Sequence, residues 1–320
     1  MFTNKKVSLC TIMVTALLSF YGCGESSTES ALESRTNDVK IGSFNMLRLG
    51  HGNTKDFDRI AKILALADFD ILSAQEIMTK EGAYDVLDSL NSQGNENWEI
   101  LLSDRATGET SYKEFFAYYY KSDKVLPKTR GNLFCTGGKA YAYEEGGCFA
   151  KDFRREEGIP DFSRDPYVSQ FLVNNSEIAI VSNHMHYGSS SSMDIAIRQK
   201  EMVNLKKVMN SIKEASPTAT VTALGDFNLK LPVQPGTTGP EEVPAEFFEE
   251  NGRVTGLIDS ATTLGNSSYD HFFFYEDANC IPEIHSAKVY ETESVSTENL
   301  KTAFKKEVSD HLPIGVTIKC

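Results

Sequence analysis

The feature that most constrains this chain is a repeated pattern: short apolar strands that end in polar clusters. Ten segments read as strands: Val39–Phe44, Asp70–Gln75, Trp98–Leu102, Phe115–Tyr120, Val168–Val173, Ile178–Ser182, Thr220–Leu224, His271–Tyr275, Ser286–Tyr290 and Ile314–Ile318. Three segments read as helices. Phe57–Ala67 places Ile60, Ile63, Leu64 and Ala67 on one face; Ala83–Asn91 follows; and Met193–Lys213 is closed by Ser216-Pro217. Many strands served by few helices point to two packed sheets flanked by helices. Arg130–Ile159 and Pro232–Pro244 read as long loops. No internal repeat and no break divides the chain in two.

Composition narrows the class. A hydrophobic fraction of 40% and a charged fraction of 24% are those of an ordinary globular protein. Lys+Arg 32 against Asp+Glu 45 leaves a net charge of −13, a poor balance for gripping a polyanion by backbone charge alone. Such a chain can act on a polyanion when divalent cations bridge the two. At the N-terminus, Lys5 and Lys6 precede a mostly apolar run, Val7 to Tyr21, too short to span a bilayer. Residues 1–22 therefore read as an export signal. Gly22-Cys23 is similar to a bacterial lipoprotein processing site, which would lipidate Cys23 and attach the protein to a membrane; soluble secretion is the alternative. Residues 23–37 form a polar tether, and the folded domain is expected over 38–320. The expected location is outside the cytoplasm: extracellular, periplasmic or on the outer membrane of a bacterium.

Beyond Cys10 and Cys23, four cysteines remain: Cys135, Cys148, Cys280 and Cys320. An even number in an exported chain points to disulfides. Of the three pairings, the local Cys135–Cys148 loop with a Cys280–Cys320 link is favoured. A zinc site is the rival, but no CxxC and no nearby His supports it.

The clusters at strand ends carry the chemistry. They are Ser43-Phe44-Asn45, Gln75-Glu76, Asn183-His184, Gly225-Asp226-Phe227-Asn228, Tyr269-Asp270-His271 and Ser309-Asp310-His311. Polar groups at strand ends converge on one rim, where a site can be assembled from distant segments. Singly, each is ordinary: an Asp beside Gly or Asn is usually a turn. Six in order are not ordinary. Together they offer histidines for proton transfer and oxygen ligands for a hard cation.

The ordered set resembles the endonuclease/exonuclease/phosphatase superfamily from about Val39 to Ile318. The most specific elements are Gly225-Asp226-Phe227-Asn228, Ser309-Asp310-His311-Leu312-Pro313 and Gln75-Glu76. Ser111-Tyr112-Lys113-Glu114 and Phe162-Ser163-Arg164-Asp165-Pro166 look like deoxyribonuclease I in particular. The resemblance implies a four-layer α/β/β/α sandwich and hydrolysis of phosphodiester bonds in DNA with little sequence preference. It implies Mg²⁺, or Ca²⁺ or Mn²⁺, as the cofactor, and a monomer with no protein partner.

It also implies roles. Glu76 would be the principal metal ligand, helped by Asn45, with Asp270 and Asp310 as further candidates. His184 and His311 would flank the scissile phosphate as acid and base. Asp310 would orient His311, and Glu114 would orient His184. His186, two residues on, competes with His184 for the same side of a strand. Asp226 and Asn228 would align the water and contact a phosphate oxygen; Asp270 would hold a histidine or a second cation. Arg164 would give bidentate donors to phosphate, and Tyr112 would pack on sugar or bridge to phosphate. His271 reads as structural. One departure stands out: where the deoxyribonuclease carries a minor-groove arginine, two residues past the metal-binding glutamate, this chain has Met78, with Lys80 the nearest cation. A lipid phosphodiesterase or a phosphatase of the same superfamily is the near alternative, and the aromatic run Phe272–Tyr275 is the one segment that would suit lipid. An inactive, surface-anchored binding protein is the alternative of another class.

Overall fold

Alternation along the strands decides the layers. In β1 (Asp38–Leu49) Val39 and Ile41 face one way, into a core shared with Ile71 of β2 (Ile71–Ile77) and Phe116, Tyr118 and Tyr120 of β4 (Phe115–Lys121). Phe44, Met46, Leu72, Ala74, Ala117 and Tyr119 face the other way, onto helices α1 (Phe57–Ala67) and α2 (Lys80–Gln93). The period of two thus builds two cores from each strand. The computed structural model describes residues 38–320 apart from 53, 95, 109–110, 129–140, 143–146, 151–161, 234–235, 237, 250–251 and 291–296.

The first sheet contains β3 (Trp98–Leu102), β13 (Ile281–Pro282), β14 (Lys288–Val289) and β15 (Ile314–Lys319). Its order is β13-β15-β1-β2-β4-β3, with β14 also on β15. The second sheet is built from β5 (Val125–Pro127), β6 (Tyr141–Ala142), β7 (Gly147–Phe149), β8 (Tyr167–Val173), β9 (Ser176–His184), β10 (Thr220–Asp226), β11 (Val254–Leu257) and β12 (Asp270–Tyr275). Its order is β11-β12-β10-β9-β8-β7-β6, with β5 also on β8. Helices α3 (Ser192–Ala215) and α4 (Ala245–Glu249) cover its outer face, where Met202, Leu205, Val208 and Met209 meet Ala179, Val181, Ala223 and Phe273. Sheet packs on sheet through Ile178, Ile180, Leu224, Phe272 and Phe274. The result is the expected four-layer α/β/β/α sandwich.

Along the inner faces the strands grade from apolar to polar toward one rim: Val39-Ile41-Ser43-Asn45 in β1, Ile71-Ser73-Gln75 in β2, Ile178-Ile180-Ser182-His184 in β9. Midway, a polar seam joins the sheets. Ser73 Oγ donates to Ser182 Oγ at 2.6 Å, and Gln75 Nε2 donates to both hydroxyls at 3.0 and 3.2 Å. Tyr118 OH lies 2.6 Å from the carbonyl of Tyr167 and accepts from Ser182 N at 3.1 Å. These groups are buried and partnered, as buried polar groups must be.

Several elements differ from expectation: the short strands β5, β11 and β13 were not foreseen, and β6 and β7 lie within the segment Arg130–Ile159 that reads as a loop. Ser286–Tyr290 is not one strand: a 3-10 turn at Ile284–Ser286 leads into the two-residue β14. Helix α4 and helix α5 (Glu298–Glu307) were not foreseen. In α5 only Phe304 is buried, so the helix carries almost no apolar stripe. Its N-terminus is nonetheless signalled, because the Thr297 hydroxyl accepts from Leu300 N as an N-cap. Cys280 and Cys320 form the expected disulfide, fastening the end of β15. Cys148 is buried in β7 and disulfide-bonded, while Cys135, its expected partner, lies outside the described residues. Cys23, the export signal and the tether also lie outside them. Phe272–Tyr275, the run suspected of facing lipid, is buried along its whole length in β12.

Candidate active site

Irregular backbone at the rim aims the site. The β1–β2 pairing slips between Asn45 and Leu49, and the β2–β4 pairing slips between Ala74 and Ile77. At these bulges Leu47 (φ 39), Arg48 (φ 54) and Glu76 (φ 58) adopt left-handed backbone, at about 1–2 kcal/mol each for an L-residue. A bulge re-aims side chains, and here the effect is specific. Strict alternation would send Glu76 outward with Leu72 and Ala74; instead it lines a cleft of about 950 Å³. In the second sheet Gly225 has φ 136, and a Cβ there would fall 1.9 Å from the Asn183 carbonyl oxygen. Only glycine lets β10 stay against β9 while Asp226 comes opposite His184 in register.

Two histidine–carboxylate pairs face each other across Asp226. Glu114 accepts from His184 Nδ1 at 2.8 Å, and Asp270 accepts from His311 Nδ1 at 2.7 Å. Their Nε2 atoms point to one oxygen, Asp226 Oδ2, at 3.6 and 3.5 Å. The same oxygen accepts from Asn45 Nδ2 at 3.0 Å, and Asp226 Oδ1 accepts from Asn228 N. Both histidine–carboxylate pairs, and the contacts of His311 and Asn45 with Asp226, join the two sheets, with Glu114, His311 and Asn45 on the side of the first and His184, Asp270 and Asp226 on that of the second.

The environments of the two rings differ. Burial and the Arg164 guanidinium push His184 down to about 4, against the pull of Asp226 and Glu76. Burial also opposes charge on His311, but Asp270 and Asp226 outweigh it and raise His311 to about 10. Burial raises Glu114 to about 7, with Arg164 Nε, 3.2 Å away, acting the other way. Burial likewise raises Asp226, countered by both histidines.

Glu76 is fixed by three donors: Asn45 Nδ2 at 3.0 Å, Arg48 N at 3.2 Å and Tyr112 OH at 2.6 Å. The Tyr112 ring lies between the guanidinium groups of Arg48 and Arg164, 5.3 and 5.6 Å from its centroid. The donors near Glu76 are all oxygen or amide. Among the described residues no group of three or more His, Cys, Asp or Glu could cage a metal ion. One carboxylate with a neighbouring amide fits a hard cation that keeps most of its water shell and also takes a substrate oxygen.

Several expectations are corrected. Asp310 does not orient His311: it turns to the cleft edge and pairs with Lys305 Nζ at 2.9 Å. Asp270 has that place, backed by the Thr262 hydroxyl at 2.6 Å. Neither aspartate joins Glu76 as a metal cluster. The rival histidine, His186, is tied into a scaffold: its ring nitrogens lie 3.1 Å from Ser163 Oγ and 3.1 Å from Asp194 Oδ1, and its N–H donates to Glu201. Arg164 follows Ser163, lines the cleft and donates from Nη1 to the Met185 carbonyl. Asn228 reaches the cleft with φ 49. His271 is wedged between the carbonyls of Ile258 and Leu229, each 2.8 Å away. Met78 is spent on structure, its N–H donating to the Leu49 carbonyl. Sequence reading missed Arg48, Lys55, Tyr187, Thr262, Lys305 and Lys306. Of these, Arg48 is signalled only by the bulge, and Lys305 and Lys306 only by the cap of α5.

Known proteins carry the same frame. No family model matches the chain. A deoxyribonuclease of Thioalkalivibrio sp. (strain K90mix) is 25% identical over 287 residues, covering 87% of this chain and 70% of that protein. Deoxyribonuclease-1 of Gallus gallus is 23% identical over 291 residues, covering 88% of this chain and 92% of its own length. A solved endonuclease/exonuclease/phosphatase family protein from Bacteroides thetaiotaomicron superposes with a TM-score of 0.55 at 14% identity, over 89% of this chain and 98% of the other. With the two-sheet sandwich, the rim it builds and these likenesses together, the chain has the fold of the endonuclease/exonuclease/phosphatase proteins and is similar in sequence to deoxyribonucleases of the deoxyribonuclease I kind.

Proposed function

We propose that this chain is an exported, divalent-cation-dependent endonuclease that hydrolyses phosphodiester bonds of DNA. The observation that carries the reading is the convergence of two carboxylate-held histidines on Asp226 Oδ2, with Glu76 and Asn45 beside it. The deoxyribonuclease relatives support the substrate. In this reading the scissile phosphate lies between the two Nε2 atoms. His184, neutral at pH 7, accepts a proton from the attacking water, which Asp226 aligns. His311, charged at pH 7, donates a proton to the leaving oxygen, and both rings reset by exchange with solvent. Arg164 and Asn228 hold non-bridging oxygens. Glu76 and Asn45 would hold the cation, which supplies Lewis-acid neutralisation of the phosphate when bound. Export and lipidation at Cys23 rest on the sequence alone.

One assay tests the core of this. Protein is incubated with plasmid DNA, RNA, sphingomyelin and a sugar phosphate, each with Mg²⁺, Ca²⁺ or EDTA. Cleavage of DNA above the other three, abolished by EDTA, is the expected result; sphingomyelin or the sugar phosphate turned over faster than DNA overturns it. Cys23→Ser should release the protein from membranes into the soluble fraction; unchanged partitioning removes the lipid anchor.

A further inference from the structure

The cleft around the two histidines has unlike walls. On the first-sheet side it is lined by Arg48, Lys55, Lys305 and Lys306. In a chain of net charge −13 this wall is a local reversal of sign. Lys305 and Lys306 occupy the last turn of α5, and both are exposed. Lys305 pairs with Asp310, whereas Lys306 has no ion pair among the described residues. Lys55 is already used, donating to the Val308 carbonyl at 2.5 Å and so holding the end of α5 in place. Lysines of this kind hold backbone phosphates by charge, without regard to sequence.

The opposite wall carries Tyr187, three residues beyond His184. Its side chain is 76% exposed and makes no hydrogen bond or ring contact among the described residues. A large ring left in water at the mouth of a polar cleft contributes little to folding. It does offer a flat face beside the reacting centre.

A cationic wall opposite a free aromatic face is the arrangement by which proteins hold single strands. The backbone follows the charge and an unpaired base stacks on the ring. A base inside a duplex is already stacked on both sides and has no free face for Tyr187. We propose that the cleft takes a single nucleic-acid strand, with one unpaired base stacked on Tyr187 and the phosphates of that strand along Lys305 and Lys306. This deepens the phosphodiesterase reading above and rests on it.

The test compares a mixed-sequence single strand with the duplex of the same sequence, using the full chain. Wild type should show the higher kcat/KM on the single strand. Tyr187→Ala should lower kcat/KM on the single strand about tenfold relative to the duplex, within the range expected for removing one stacking aromatic. Tyr187→Phe, which keeps the ring, should restore the ratio. Lys306→Ala should make single-strand binding less sensitive to salt. Equal losses on both substrates, or a Phe variant as poor as Ala, overturn the proposal. If wild type cleaves neither substrate, the phosphodiesterase reading fails separately. Anisotropy of a labelled single strand then decides alone: weaker binding to Tyr187→Ala upholds the stacking site, and unchanged binding removes it.

Discussion

His184 and His311 sit across one carboxylate oxygen from each other, each with its Nδ1 held by an acid, yet the protein biases them oppositely. The difference lies one residue further out. Behind Glu114 stands Arg164, whose charge is shared with the acid and felt by His184. Behind Asp270, among the described residues, stands the neutral hydroxyl of Thr262 and no cation, so the full carboxylate charge acts on His311. Two similar histidine–carboxylate pairs are biased, through their third neighbour, toward a neutral ring at His184 and a charged ring at His311. Pushing paired groups apart in this way lets one site run acid and base chemistry at the same pH.

Removing either ring is expected to have the largest effect. His184→Ala and His311→Ala should each cut kcat by about 10³-fold or more, with the double variant hardly worse, because the two act as a unit. A dispensable His184 would leave a single-histidine mechanism. Glu76→Gln keeps shape and removes charge, and a loss of about 10²–10³-fold is expected even at saturating Mg²⁺; near-normal turnover would move the cation elsewhere.

A sharper cut separates the two environments by pH. Asp270→Asn removes the main group raising His311, so its imidazolium loses its proton sooner and the alkaline limb of kcat should move down from about 10. Arg164→Met removes a cation that lowers His184, so that ring gains its proton sooner and the acid limb should move up from about 4. The limbs are expected to move toward each other. If both variants shift the same limb, the assignment of acid and base is reversed or shared.

Smaller effects test the corrected neighbours. Thr262→Ala removes one hydrogen bond to Asp270, and a several-fold loss is expected from about 1 kcal/mol. Asp310→Asn should leave kcat within about threefold, since Asp310 faces Lys305 and not the His311 ring. A large loss there would restore Asp310 as the orienting acid. Smallest on activity is His186→Ala, which should cost about 1–2 kcal/mol of stability through lost bonds to Ser163 and Asp194 while kcat stays near wild type.

How much of this was legible depends on the link between neighbours in sequence and neighbours in space. The strands were readable because alternation is local, and the rim residues were readable because strand ends carry them. Asp310 was misplaced because adjacency in sequence says little about direction at a turn: beside His311, it points to α5 instead. Asp270, 41 residues away on the other sheet, was named as a partner for one of the histidines through the resemblance, but no local pattern announces that the ring it holds is His311. Glu76 was named correctly, though the bulge that turns it into the cleft breaks the alternation used to find strands. Helix α5 stayed hidden because a helix with one buried residue has no periodic stripe, and the cationic wall stayed hidden with it.

The hydrogen bonds between Ser73, Gln75, Ser182 and Tyr118 have a mechanical consequence. Faces covered only with Ile, Val and Phe look alike at every second residue, so two such sheets could shear past one another by a pleat repeat of about 7 Å with little change in packing. The hydroxyls and amide admit one offset alone. Since every pair that meets at Asp226 takes one member from each sheet, any sliding would pull all of them out of alignment at once. A misplacement of about 1 Å can cost roughly a hundredfold in rate. These polar groups in an otherwise apolar interior act as the dowel pins of the catalytic rim, and their removal would blunt turnover well before it melted the protein.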